Sequence, residues 1–207
     1  MSRFQGRTLD RIWFIFLVAH IPTTLFIDLQ VFYPAWLLEH TPFPAVLDWY
    51  VSLSRDPILL GVVSGADEWA WLRTFFWLEA LLQLPSFVVG AIGLWNGTCR
   101  AASPADCYRR PPRVPYVVGM LPRPPLTTHP ALLVFYGAST ATTLVPVLNA
   151  VLTHPYSKPP LTAAELAMLL SSYIPFLVCP LGMALDYGLR LTKIAGRSNV
   201  SHERKSS

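Results

Sequence analysis

Apolar positions gather in four long blocks along the chain, at 9–32, 69–95, 130–153 and 163–191, and charged residues are rare inside them. Each block supplies the ~20 consecutive apolar residues that a helix needs to cross a hydrocarbon core about 30 Å thick. The pattern therefore predicts an all-α membrane protein, a four-helix transmembrane bundle occupying 9–192. It is preceded by a short segment, 1–8, and followed by a polar tail, 193–207, that is expected to be disordered. The first block is read as a span and not as a cleaved leader, because it is long, carries Pro22 and Asp28, and lacks a small-x-small cleavage site. Segment 33–68 is too long for a turn and too aromatic for a free linker, so it is expected to fold over the bundle. Within it, Asp56 before Pro57 has the form of an N-cap followed by proline at the first helical position, with a third ligand carboxylate as the alternative. Segment 96–129 is rich in proline and arginine and reads as an extended, polyproline-like loop. Its Arg109-x-x-Pro112-x-x-Pro115 fits an SH3-ligand pattern, and its arginines are suited to anionic membrane lipid.

Composition agrees with this picture. The 207 residues are 53% hydrophobic and only 14% charged, against roughly 25% charged in soluble domains. The net charge of +4 matters less than its placement: thirteen of the sixteen bases lie in or beside the N-terminal segment, the second loop and the end of the chain. Only Arg55, Arg73 and Lys158 lie elsewhere. The positive-inside rule then places both termini and the second loop in the cytosol. On that side the sequons at Asn96 and Asn199 would stay unglycosylated, and Cys99 and Cys107 would stay reduced. With Cys179 inside the fourth block, no disulfide, metal site or cofactor is expected, and nothing points to nucleic acid. The closing Arg204 and Lys205 resemble a dibasic retrieval signal of the endoplasmic reticulum.

The candidate chemistry is the polar content of the spans. An acid near the middle of a membrane helix costs at least ~2.5 kcal/mol on insertion scales, so it faces a protein interior, a cavity or a partner. The first span holds His20, Thr24 and Asp28, the second Glu79 and Gln83, the third Thr142 and Asn149, and the fourth Tyr173. Each span also has an internal proline, Pro22, Pro85, Pro146 or Pro175, which removes a backbone donor and pushes off the carbonyl four residues earlier. Bent helices need not pack solidly, and the polar residues are expected to converge on one cavity. Asp28 lies about four residues, and Glu79 about ten, from the same end of the bundle, a depth difference of ~9 Å at 1.5 Å per residue. Two carboxyls sharing a poorly solvated site favour a hydrogen-bonded, singly protonated pair. Such a pair can anchor a cationic amphiphile or a sterol hydroxyl, act as an acid and base, or hold helices together.

Several stretches together resemble the sigma-2 receptor family, also called transmembrane protein 97, of the EXPERA-domain superfamily. They are His-Ile-Pro-Thr-Thr-Leu-Phe-Ile-Asp-Leu-Gln at 20–30, Asp-Trp-Tyr at 48–50, Arg-Asp-Pro-Ile-Leu at 55–59, Glu-Ala-Leu-Leu-Gln-Leu-Pro at 79–85, Thr-Thr-Leu-Val-Pro-Val-Leu at 142–148 and Tyr-Ile-Pro-Phe-Leu at 173–177. The resemblance implies a four-helix protein of the endoplasmic reticulum membrane, often dimeric, with an intramembrane pocket for sterols and cationic amphiphiles. It implies that Asp28 is the ligand's charge partner, that Glu79 is its hydrogen-bonded neighbour, and that Asp56 is structural. His20, Trp49, Tyr50, Gln83, Thr142 and Tyr173 match pocket positions or their surroundings. The long second loop is similar to fungal members named for efficient mitochondrial targeting, which implies a part in quality control of mitochondrial precursor proteins. The related emopamil-binding sterol isomerases carry a histidine four residues before the span-two glutamate and another glutamate on span three. This chain has Phe75 at the first position and no acid in 130–153, so a non-enzymatic binding protein is expected, with isomerase or sterol-trafficking regulator as the alternatives.

Overall fold

The computed structural model describes residues 4–97, 128–153 and 160–206. Four helical segments are long and apolar enough to cross a membrane: Thr8–Phe32, Asp67–Asn96, His129–Thr153 and Ala163–Lys193. They match the four blocks read from the sequence, because unbroken hydrophobicity over this length admits only a conformation that satisfies its own backbone. The first span is helix α1 (Thr8–Phe26) continued by a 3-10 turn, Asp28–Phe32. Short helices α2 (Ala35–Glu39), α3 (Phe43–Ser54) and α4 (Pro57–Val63) follow. The second span comprises α5 (Ala70–Leu78), a π turn at Glu79–Gln83, and α6 (Leu84–Asn96). Helices α7 (Thr128–Thr153) and α8 (Ala163–Ser206) complete the bundle.

One expectation is corrected here. The polar tail after residue 192 continues α8 as helix to Ser206. Polarity does not by itself end a helix, and Lys193, Arg197, Glu203, Arg204 and Lys205 are all good helix formers. The expectations for the second loop, including Cys99, Cys107 and the proline pattern at Arg109, lie outside the described residues.

Helices pack as two pairs, α1 on α6 and α7 on α8, and α1 and α8 meet only sparsely. The second pair approaches closely at Gly137, where a Cβ would stand 2.3 Å from the Pro180 carbonyl oxygen and 2.9 Å from the Ala184 nitrogen. Lipid tails are as apolar as leucine, so such small-residue contacts carry helix association. Buried side chains form two plugs. Near the chain's N-terminus, Trp13, Leu17, Phe87, Leu94, Leu133, Tyr136, Met183 and Tyr187 pack together. At the opposite end, Leu29, Ile58, Leu59, Val62, Trp69, Leu72, Phe76, Val151 and Leu169 tie α4 and the adjoining turns to the spans. Segment 33–68 therefore folds onto the bundle, as its aromatic content suggested.

The N-terminal end is also cross-linked by charge. Asp10, 3% exposed, accepts from Arg7 Nε at 2.8 Å, Arg190 at 2.7 Å and the Tyr187 hydroxyl at 3.0 Å. Arg190 also grips Asp186, which accepts from Trp13 Nε1 at 2.9 Å. Arg7 further donates to the Leu94 carbonyl. These bonds join α1, α6 and α8 at one end and leave the middle of the bundle free of that constraint.

Candidate functional site

Between the two plugs lies a cavity of about 160 Å³. On the first span, His20 and Thr24 share a face of α1 and Asp28, at the same four-residue interval, opens the 3-10 turn that follows. His20 and Asp28 line the cavity directly, and Thr24 is fully buried beside it. On the second span the π turn at Glu79–Gln83 carries both of its polar residues to the wall. Its place follows from Pro85, which has no N–H to give to the Leu81 carbonyl; a local shift of the ladder is one way a helix absorbs that loss, and such π turns are frequent at functional sites. Helix α7 adds Thr140, Thr143, Leu144 and Val147, and α8 adds Ser172, Tyr173 and Phe176. Tyr50 of α3 and Asp56, Ile58 and Leu59 at the start of α4 close the remaining side.

The three carboxylates differ in how they are satisfied. Glu79 Oε1 accepts from the Thr24 hydroxyl at 2.5 Å and lies 3.8 Å from His20 Nε2. His20 is held in turn by the Tyr136 hydroxyl, 2.9 Å from Nδ1, and stacks on Phe87 with ring centroids 4.4 Å apart. Asp56, fully buried, caps α4 through Oδ1, which accepts from Ile58 N at 2.9 Å and Leu59 N at 3.4 Å. Its Oδ2 accepts from the Tyr173 hydroxyl at 2.7 Å and the Tyr50 hydroxyl at 3.3 Å. Burial raises the Asp56 pKa above the usual carboxylate range, and these hydrogen bonds pull part of the way back. Burial, assisted by the charge on Asp56, pushes the Tyr50 phenol up to about 12. Asp28 is the exception: among the described residues it lines the cavity and accepts no hydrogen bond.

Of the residues singled out in the sequence, His20, Asp28, Tyr50, Glu79, Gln83 and Tyr173 are brought onto one wall. Asp56 has the expected cap and also faces the cavity. Two positions are corrected. Trp49 is 63% exposed on the outside of α3, because adjacent helical residues point about 100° apart and Tyr50 takes the inward direction. Thr142 is exposed and bonds the Ala138 carbonyl in its own helix; Thr140 and Thr143 take the inner face, the former donating to Gln83 Oε1 at 2.9 Å. The hydroxyl of Thr24, one turn before Asp28, engages Glu79 Oε1, and Asp28 and Glu79 line the same cavity. Tyr136 was missed; on sequence it reads as one more aromatic in an apolar span. Pro22, Pro146 and Pro175 lie inside helices as expected, and Pro85 opens α6.

Comparison with known proteins bears on this arrangement. The sequence is 28% identical over 189 residues to sigma intracellular receptor 2 of Xenopus tropicalis, covering 87% of this chain and 88% of that protein. It is 29% identical over 173 residues to the protein of that name from Macaca fascicularis, covering 80% and 79% of the two chains. The Homo sapiens protein is 28% identical over 173 residues, with the same coverage. Residues 42–187 match the family model described as EXPERA, the expanded EBP superfamily. Four membrane-length helices around a polar cavity, and a family match spanning most of the chain, lead to one assignment: the chain belongs to the EXPERA family.

Proposed function

We propose that the chain is a non-enzymatic membrane receptor whose cavity takes cationic amphiphilic or sterol-like ligands, with Asp28 as the anchor. The observation that carries this reading is the unequal satisfaction of the three carboxylates. Glu79 and Asp56 hold donors from the protein, whereas Asp28 faces the cavity with none. Asp28 is half-buried; a carboxylate drawn partly out of water without a donor is costly, and an ammonium or hydroxyl on an otherwise apolar ligand supplies one. Phe75, Phe76, Phe176, Leu144 and Val147 give that ligand its apolar wall. The names of the curated relatives, which call them receptors, support a binding role.

The test is competition binding of a labelled tertiary-amine amphiphile to protein in lipid nanodiscs. Truncating one partner of a buried charge pair costs about 2–5 kcal/mol, so Asp28→Asn is expected to weaken binding about 30-fold or more while expression is spared. Unchanged affinity in the variant removes the anchor role. Residence in the endoplasmic reticulum membrane with cytosolic termini, dimer formation and the handling of mitochondrial precursor proteins extend this proposal. Their support is the distribution of bases and the family resemblance. A second reading, sterol isomerisation, draws on the 3.8 Å approach of His20 to Glu79. Sterol profiling of a strain lacking the chain decides it: a build-up of unisomerised precursor, cured by restoring the chain, supports the enzyme.

A further inference from the structure

Helix α3 is fastened at both of its ends to the ends of membrane spans. At its start the Phe43 ring lies 5.1 Å from that of Phe26, the last residue of α1. The Phe43 carbonyl accepts from Gln30 Nε2 at 2.7 Å. At the far end, Arg55 donates to Glu165 at 2.7 Å, in the first turn of α8. The helix, about 18 Å long at 1.5 Å per residue, thus runs across the bundle from the edge of one span to the edge of another. Both anchors lie at the same end of the bundle.

Its faces are divided in the same sense. Leu47, Tyr50, Val51 and Ser54 turn inward toward the bundle. The outward side is not uniformly polar. Ala45, Trp49 and Leu53 form a stripe about 80° wide, with Trp49 63% and Leu53 53% exposed. Asp48 and Ser52, also exposed, lie along one edge of that stripe. At the neighbouring end of the first span Phe26 is also exposed, at 39%. A helix with an indole beside aliphatic groups, bordered by a carboxylate and a hydroxyl, suits the boundary between headgroups and acyl chains.

We propose that α3 is an interfacial helix, its Ala45–Trp49–Leu53 stripe seated in the upper acyl region of a lipid leaflet and its Asp48–Ser52 edge in water. The cover of the cavity then belongs to the membrane interface and does not project as an aqueous loop. Because Tyr50 reaches the cavity from the inner side of the same helix, the rim of the cavity sits at headgroup depth. This placement holds whatever ligand the cavity takes.

Single labelling sites test it in the full chain carrying Cys99→Ser, Cys107→Ser and Cys179→Ser, reconstituted in phosphatidylcholine nanodiscs. Trp49→Cys, Leu53→Cys, Asp48→Cys and Ser52→Cys are each coupled to an environment-sensitive fluorophore, and Ala45→Cys replaces any apolar-stripe variant that does not fold. Labels at 49 and 53 are expected to be quenched by lipid brominated in the upper acyl chain and to be about threefold less accessible to aqueous iodide than labels at 48 and 52. Equal iodide access at all four sites overturns the proposal by putting the helix in water. Shielding of 49 and 53 from both quenchers overturns it equally, by putting a protein surface such as a second copy of the chain on the stripe.

Discussion

Asp56 offers a clean separation between a helix cap and a clasp, because its two oxygens do different work. Oδ1 caps α4 through Ile58 and Leu59, and Oδ2 receives the Tyr173 and Tyr50 hydroxyls. Asparagine keeps an acceptor for the cap but sets an NH2 group against two hydroxyl donors, a loss of about 1–2 kcal/mol for a buried mismatch. Alanine removes the cap as well, worth about 0.5–2 kcal/mol, and strands both phenols. For a chain of this size, with about 2–4 °C per kcal/mol, Asp56→Asn is expected to lower the thermal midpoint by roughly 4 °C and Asp56→Ala by roughly 10 °C. The assay is thermal unfolding in detergent, with amine binding measured below the transition. Both variants should keep ligand affinity within about tenfold of the parent, unlike Asp28→Asn. Equal destabilisation by Asn and Ala refutes the division of labour, and loss of binding without loss of stability makes Asp56 a ligand contact. The pH dependence follows from the raised pKa. Since the folded state holds the Asp56 proton more tightly than the unfolded chain does, its contribution is complete below the ordinary value of 3.8 and is lost as pH climbs through the raised one. Removing the titrating group in Asp56→Asn should therefore flatten the fall in midpoint above that value, and an unaltered slope counts against a buried, protonatable Asp56.

Gly137→Leu should prevent α7 and α8 from closing, since the new Cβ meets backbone and not a flexible side chain; a loss of about 3 kcal/mol or failure to yield monodisperse protein is expected, and normal stability would refute the close approach. Asp10→Asn weakens acceptance from two arginines in a buried site and is expected to cost about 3 kcal/mol, read as a lower thermal midpoint with ligand affinity unchanged in the surviving fraction. Thr140→Val frees Gln83 and should alter ligand affinity or selectivity, whereas Thr142→Val, on the outer face, should change neither binding nor stability by more than about 0.5 kcal/mol; equal effects from the two would mean that the rotation of α7 has been misassigned.

The spans, the folded segment before the second span and the cavity residues His20, Asp28, Glu79 and Gln83 were legible because they rest on strong signals. Hydrophobic length fixes a membrane helix, and an acid, an imidazole or an amide inside one calls for a partner. What was not legible turns on rotation by a single residue. Thr140, Thr142 and Thr143 are chemically alike, and only the packing of α7 selects the first and third. Trp49 and Tyr50 are both aromatic, and nothing local says which points inward. The ion cluster was hidden for another reason. Arg7 and Arg190 were counted as indicators of orientation, and their pairing with Asp10, close to 180 residues away in sequence for Arg190, has no local signature. The tail continues as helix because polar composition is not disorder: straight-chain charged residues such as Lys193, Arg197, Glu203 and Lys205 favour helix.

The same hydrogen bonds weigh against proton transfer as the main business of the cavity. If the Tyr136 hydroxyl donates to His20 Nδ1, the ring proton sits on Nε2 and faces Glu79. His20 is then a donor toward a carboxylate that Thr24 already holds, and its acceptor nitrogen is occupied by Tyr136. Both ring nitrogens of His20 and Oε1 of Glu79 are thereby turned toward protein groups, an arrangement that favours holding a ligand over shuttling a proton. Asp28 has the lone pairs and faces the cavity. A carboxylate so placed is suited to holding a cation or a hydroxyl, as the proposed receptor role requires.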